Sequence, residues 1–224
     1  MKIFAIVPVK KFDNAKTRLG TFLSAADRIK LSGMLLKRTI CVLKKTPGIY
    51  KILLVSSDRR TKKIAHEYGA TFLEEDKESG VNSAINLADK FCVTACADAS
   101  LILPIDLPLI LPEDVSIICK SVLDDKNCVV LCPSYKFDGS NVLLRKPCNI
   151  MGTSYDSNSY LMHVLGGVRS NVKTKVLFVN RLMMDIDTVR DIRNMLAMNE
   201  TDNQVTRYLK TILAKPNAIR NLNH

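Results

Sequence analysis

No stretch of this sequence approaches the ~20 consecutive apolar residues that span a bilayer, so nothing in it reads as a membrane helix. The start, Met1-Lys2-Ile3-Phe4, leads into a short apolar run and then lysines, with no small-residue cleavage site, so no secretory signal is expected. No C-x-x-C pair occurs among the seven cysteines, Cys41, Cys92, Cys96, Cys119, Cys128, Cys132 and Cys148. An odd count without an export signal points to free thiols in a reducing cytosol. Cys92 and Cys96 are expected to share a helix face and Cys128 lies close to Cys132. No histidine accompanies either pair, so both read as small buried hydrophobes rather than zinc ligands. A Walker A loop, a G-x-G-x-x-G loop, an arginine-glycine tract, a zinc finger and an aromatic-basic RNA signature are all missing. Histidine is scarce, with three in the chain and His224 terminal, and no obvious general base stands out. Repeats, low-complexity tracts and linkers are absent as well.

What is present is a 224-residue chain, 47% apolar and 25% charged, long enough to bury a core without staples. Its formal charge of +11 is unevenly spread. Met1 to Lys63 holds 16 basic and 3 acidic residues, a local excess of +13, and the remainder nets −2. Such an excess suits an anionic partner, either nucleic acid or a compact polyphosphate. Arg28, Lys30, Lys37, Arg38, Lys44 and Lys45 fall on one long helical pattern and read first as a solvated helix face.

Strands and helices alternate along the chain. KIFAIVPV is a strand. Ser24 caps a long amphipathic helix to about Lys45, ended by Pro47-Gly48. YKILLVSS is the second strand, Thr61 to Tyr68 a helix ended by Gly69, ATFLEE the third strand, and Val81 to Ala97 a helix. SLILPI is the fourth strand, and Pro112 opens a helix at the first-turn position proline tolerates. NCVVLCPS and NVLLRKP form a hairpin turning at Asp138-Gly139. Then follow a helix over Ser159 to Leu165, a strand KVLFV, a helix over Thr188 to Met198, and a last helix to about Leu213. The expected organisation is one domain over 1–214 with a polar tail over 215–224. Continuous apolar strands alternating with helices argue for an α/β fold, with a mostly parallel sheet covered on both faces. In such sheets ligands bind beyond the carboxyl ends of the strands.

Three strand ends carry the chemistry. After the first comes VPVKKFDNAKTRL, where Lys10, Lys16 and Arg18 sit in a loop that meets a helix, a setting suited to phosphate. Surface decoration is the competing reading of these cations. After the fourth strand, Asp106 lies between two prolines at the end of an apolar run. A carboxylate there is costly to bury without a cation, and the next helix starts several residues later, so a metal role is favoured over a helix cap. Near the end of the sheet, Asp185 and Asp187 stand two apart. On extended backbone both carboxylates point to one side, as a hard divalent ion such as Mg²⁺ requires. The competing reading is that Asp187 caps the helix near Thr188.

VPVKKFDNAKTRL, GVNSAI, LPIDLPL, DGSNVLL, SYLMH and MDIDT occur in this order, and together the chain resembles the 2-phospho-L-lactate guanylyltransferases of deazaflavin coenzyme (F-420) biosynthesis and their relatives that use phosphoenolpyruvate. The resemblance runs to about Asn199. It implies a single Rossmann-like three-layer domain of the nucleotide-diphosphosugar transferase type with a mixed, mostly parallel sheet. It implies transfer of GMP from GTP to a phosphorylated three-carbon acid with release of pyrophosphate. Pro8, Lys10, Lys16, Arg18, Gly80, Asn82 and Ser83 would hold the nucleotide. Asp106, Asp185 and Asp187 would hold Mg²⁺. Ser140, Asn141, Asp156, Ser159 and His163 would bind the acid, and Lys16, Arg18 and Asp106 would carry catalysis. One departure stands out: where the family usually reads Y-G-x-x-S, this chain has Tyr155-Asp156-Ser157-Asn158-Ser159. A carboxylate beside an anionic substrate repels it unless it turns away or binds metal, and only a rearranged loop would let Gly152 stand in for the glycine.

Two further readings follow from the sequence. One is a related nucleotidyltransferase with another acceptor; the other is a non-catalytic nucleotide- or RNA-binding protein built on the basic segment. The favoured expectation is a cytoplasmic enzyme with no nucleic-acid or membrane partner. A homodimer would use the apolar hairpin around Val129 to Leu144.

Overall fold

The computed structural model describes residues 1–198 and 202–214; the tail expected over 215–224 lies outside them. Short apolar runs and capped amphipathic segments alternate as follows: β1 Ile3–Pro8, α1 Ala25–Lys45, β2 Ile49–Ser56, α2 Arg59–Tyr68, β3 Thr71–Glu74, α3 Val81–Thr94, β4 Ala99–Ile102, α4 Pro112–Lys120, β5 Cys128–Pro133, β6 Ser140–Lys146, α5 Ser159–Arg169, β7 Lys173–Val176, α6 Asn180–Met183, α7 Val189–Ala197 and α8 Gln204–Leu213. The sheet has seven strands in the order β3-β2-β1-β4-β6-β5-β7. All neighbours pair in parallel except β6, which runs against both β4 and β5. The chain winds outward from β1 through β2 to β3, then returns to place β4 on the other side of β1. That reversal opens a crevice beyond the carboxyl ends of β1 and β4, where a doubly wound sheet binds its ligand.

The two-residue period of the strands divides the core. Ala5, Val7, Leu54, Leu101, Val130 and Leu144 face α1, α2 and α4. Phe4, Ile6, Leu53, Ile102, Val129 and Leu143 face α3 and α5. A third cluster packs Leu31 and Leu35 of α1 against Ile192, Met195, Val205 and Leu209 of α7 and α8, and includes Ile186. The largest fully buried side chain is charged: Arg145 on β6 is satisfied by Asp89 of α3, the Ser100 hydroxyl and the Met151 carbonyl. Among the described residues no helix is long and apolar enough to cross a membrane.

Several local expectations are corrected. The strand read at KVLFV lies at Lys173–Val176, paired with Cys128–Leu131 of β5; Leu177 adds one last bond to the Leu131 carbonyl and the chain turns into the short α6. Cys92 and Cys96 share no helix face. The α3 helix ends at Thr94 and Cys96 takes a left-handed φ of 51° beyond the Ala95 cap, with the Ala97 N–H donating to the Cys92 carbonyl. Cys92 is buried in the core and Cys96 is exposed. The hairpin residues Val129–Leu131 and Leu143–Leu144 are fully buried within their own sheet, with β6 inserted between β4 and β5.

Candidate active site

The crevice is a cleft of about 520 Å³ lined by Pro8 of β1, Ile102 and Pro104 after β4, the loop from Lys10 to Arg18, and Ser140, Asn141, Ser159, Asp185 and Asp187. Of the expected site residues, Pro8, Lys10, Lys16, Arg18, Asp106, Ser140, Asn141, Ser159, Asp185 and Asp187 line it.

The basic loop is two 3-10 turns, Phe12–Asn14 and Thr17–Leu19, with Lys16 between them in the left-handed region at φ 54° and ψ 35°. Its backbone is pinned from outside. The Phe12 N–H donates to Asp58 at 2.8 Å, the Lys11 N–H to Glu78 at 2.9 Å, and Arg28 to the Ala15 carbonyl at 3.1 Å. Arg60 bonds both Asp58 and Asp13 and lies over the Phe12 ring. This places the Lys16 side chain in the interior, 7% exposed, whereas Arg18 is 74% exposed. Lys16 Nζ donates to Asp106 Oδ2 at 2.9 Å, Asp187 Oδ1 at 2.9 Å and the Ile186 carbonyl at 2.7 Å. Burial works against its charge, but Asp106 and Asp187 outweigh that and hold the ammonium above its ordinary pKa.

The three expected aspartates come together. The Ile186 N–H donates to the Asp106 carbonyl at 3.1 Å, which joins the segment after β4 to the segment before α7. Asp187 does not cap α7: Thr188 does, accepting from the Asp191 N–H, with Asp191 reciprocating, and Asp187 is left free for the cleft. Burial opposes the Asp187 charge, yet Lys16 and Arg18 hold its pKa below the usual carboxylate value. Asp185 accepts from the Asn141 amide at 3.1 Å, and Asn141 also anchors to the Leu182 and Met183 carbonyls. Burial, with Asp106 and Asp187 nearby, raises Asp185 to about 6. Asp106 Oδ1 is buried without a hydrogen-bond partner. Asp106 and Asp187 thus share one buried ammonium, a distant guanidinium reaches Asp187 alone, and among the described residues Asp106 Oδ1 remains an unmet acceptor. This hard-oxygen donor set fits a divalent ion such as Mg²⁺. Among the described residues no three such groups are gathered tightly enough to hold one, and Lys16 Nζ lies 2.9 Å from both Asp106 and Asp187.

On the far wall, two hydroxyls are held from behind. Ser159 Oγ accepts from the Ser140 N–H at 2.9 Å. His163, fully buried one turn into α5, accepts the Ser154 N–H at Nε2 (2.9 Å), so in its neutral form the proton sits on Nδ1 and is donated to Ser140 Oγ at 2.9 Å. Both serine hydroxyls keep their own hydrogens for a ligand.

The remaining expected residues lie elsewhere. Gly80 caps α3 at φ 92° and a Cβ there would meet nothing within 4 Å, so the position requires its conformation rather than its small size. Ser83 is exposed on α3, outside the cleft lining. Asn82 is fully engaged: it donates to Asp156 at 3.0 Å and accepts from Thr153 and the Tyr155 N–H, and so tethers the loop that brings Tyr155 to the cleft. The Asp156 carboxylate is exposed, turned away from the cleft onto Asn82. Gly152 is exposed and does not replace the expected glycine. His163 acts behind Ser140 rather than at the cleft surface. Residues not anticipated include Asn14, Thr17 and Ser32 in the lining and the Asp58–Arg60 clamp behind the loop. Tyr155 was within reach, since it stands in the quoted motif.

Comparison with known proteins agrees with this geometry. The chain is 32% identical over 88% of its length to the phosphoenolpyruvate guanylyltransferase of Rubrobacter xylanophilus, covering 95% of that protein. It is 30% identical over 94% of its length to the 2-phospho-L-lactate guanylyltransferase of Methanobrevibacter smithii, covering 90% of that one. In fold it is similar to a protein of Desulfovibrio desulfuricans G20 described as a nucleotide-diphospho-sugar transferase, with a TM-score of 0.78 at 14% identity over 97% and 96% of the two chains. A cytidylyltransferase of Leptospira borgpetersenii gives a TM-score of 0.59 at 13% identity over 100% and 99%. The family model described as "Guanylyl transferase CofC like" matches residues 1–218, past the point near Asn199 where the motif resemblance stops. By that match and those identities, the chain belongs to the CofC-like guanylyl transferase family.

Proposed function

We propose that this enzyme moves the guanylyl group of GTP onto the phosphate of a small phosphorylated three-carbon acid, 2-phospho-L-lactate or phosphoenolpyruvate, and releases pyrophosphate, a step that fits coenzyme F-420 biosynthesis. The observation that carries the reading is one cleft with two unlike walls, cations and carboxylates on one side and a paired set of serine donors on the other. Lys10, Lys16 and Arg18 take the triphosphate. Ser140 and Ser159 donate to the acid, with His163 and Asn141 fixing the walls behind them. Mg²⁺, held by Asp106, Asp185 and Asp187, would neutralise charge at the α-phosphate and on the leaving pyrophosphate.

The chemistry needs no general base. A phosphate monoester has its second pKa near ~6 and is largely dianionic at neutral pH, so the acid's own phosphate oxygen is the nucleophile. It attacks the α-phosphorus, and the bond to the β-phosphate oxygen breaks. Catalysis is then alignment and charge neutralisation, which the chain's cations supply.

The test is pyrophosphate release with GTP and Mg²⁺, with each acid offered separately. Release that depends on one acid supports the reaction and names its substrate. A folded, GTP-binding protein silent with both acids overturns it in favour of another phosphorylated acceptor.

A further inference from the structure

We infer that Lys16 is a resident counter-ion that competes with the divalent cation for Asp106 and Asp187, so the cation gains full hold only when a triphosphate draws the lysine away. The inference rests on the reading of the cleft proposed above and assigns Lys16 a second role within it.

An ammonium has three donors. In this structure all three are used, on Asp106 Oδ2, Asp187 Oδ1 and the Ile186 carbonyl. Lys16 therefore has no proton left for a phosphate until at least one of these bonds opens. The same two carboxylate oxygens are the ones an ion would bridge. Magnesium sits about 2.0–2.1 Å from its oxygens, and Nζ lies 2.9 Å from each of them, so an ion bridging the pair would stand in the space the ammonium holds. Two positive charges in that space repel strongly in a buried setting.

The lysine is also an incomplete partner. Among the described residues Asp106 Oδ1 remains buried and unpaired beside it, and Asp185 accepts from the Asn141 amide. Lys16 is a non-glycine residue at φ 54°, a conformation that costs roughly 1–2 kcal/mol. The turn that precedes it is tied down at Lys11, Phe12 and Ala15 by Glu78, Asp58 and Arg28, so the side chain can swing without unravelling that part of the loop. Two cation positions then alternate: lysine on the carboxylates without ligand, lysine on the triphosphate with the ion on the carboxylates. By linkage, each ligand tightens the other.

The experiment uses the full chain without nucleotide and Mn²⁺ as the probe ion, with free ion read by electron paramagnetic resonance. Lys16→Met keeps an unbranched stem and removes the charge. It is expected to bind Mn²⁺ at least tenfold more tightly than the wild type, and Lys16→Arg is expected to bind no more tightly than the wild type. A second readout needs no variant. Amine labelling of Lys16 in the wild type, quantified by peptide mass spectrometry, is expected to be slow without ligand and faster in saturating Mn²⁺. It should become slow again with Mn²⁺ and a non-hydrolysable GTP analogue. Unchanged Mn²⁺ affinity in a folded Lys16→Met protein, or labelling that Mn²⁺ does not alter, overturns the competition and leaves the site itself intact. If neither protein binds Mn²⁺, or if Asp106→Asn added to Lys16→Met leaves binding unchanged, the metal reading of the cleft fails and the inference fails with it. Should Lys16→Met not fold, the labelling series decides.

Discussion

His163 and Ser140 hold each other in one protonation arrangement. The Ser154 N–H occupies Nε2, so Nδ1 carries the proton of the neutral ring and gives it to Ser140 Oγ at 2.9 Å. The serine hydroxyl therefore accepts on its protein side and donates on its cleft side. Burial, helped by the Arg145 guanidinium, lowers His163 to about 4, which keeps the ring neutral at physiological pH.

That arrangement sets a pH dependence of stability. The folded pKa lies below the ~6.5 of an unfolded histidine, so the unfolded chain binds more protons between the two values. The stabilisation is complete above about 6.5 and is lost as pH falls toward about 4. The full loss is on the order of 3 kcal/mol. Thermal melts of the wild type and His163→Gln from pH 7 to pH 4.5 should show a steeper fall for the wild type. Parallel curves would mean that another group governs the acid limb.

Ser140→Ala removes one of the two hydroxyls facing the acid. A hydrogen bond to a charged group contributes about 1.5–3 kcal/mol, so KM for the acid should rise roughly ten- to a hundredfold while KM for GTP stays close to its starting value. Equal changes in both constants would count against a role confined to the acid. Initial-rate kinetics with each substrate varied in turn make the measurement.

Asp106→Asn keeps the shape and removes a charge from the centre of the carboxylate group. Loss of a central electrostatic element typically costs about 10²–10³ in turnover, and a fall of that size in pyrophosphate release is expected. Turnover near the wild-type rate would remove Asp106 from the chemistry.

Asp156→Gly restores the residue usual in the family. Because Asp156 is exposed and bonded to Asn82 rather than aimed into the cleft, the change should alter KM for the acid by no more than about threefold, the scale of a weak surface interaction. A tenfold improvement would mean that the carboxylate does reach the bound acid.

The order of strands and helices was legible because local signals agree with the fold. Ser24 caps α1 through the Asp27 N–H, and Gly69 ends α2 at φ 66°. Asp106, Asp185 and Asp187 could be grouped because strand ends converge at a switch point. Lys16 could not be assigned to them, since its partners lie 90 and 171 residues away and nothing local fixes how a lysine in a loop will turn. The contacts of Asn82 were hidden for the same reason: its amide bonds a loop 71–74 residues downstream. The role of His163 came only from the family resemblance, because a lone histidine on a helix says nothing about which serine stands behind it.

The reversed direction of β6 has a consequence for how this enzyme could change. β1 and β4 meet the cleft with their final residues, Pro8 and Ile102, but β6 meets it with its first, Ser140 and Asn141, directly after the turn from Ser134 to Gly139. That turn is closed by the Ser134 N–H on the Gly139 carbonyl at 2.7 Å and carries the exposed Tyr135 and Phe137. Residues inserted there would extend one wall of the substrate chamber while leaving the register of β5 on β6 untouched. On the proposed reading of the cleft, loop growth at that one point would reshape the acceptor wall while leaving the loop from Lys10 to Arg18 unchanged.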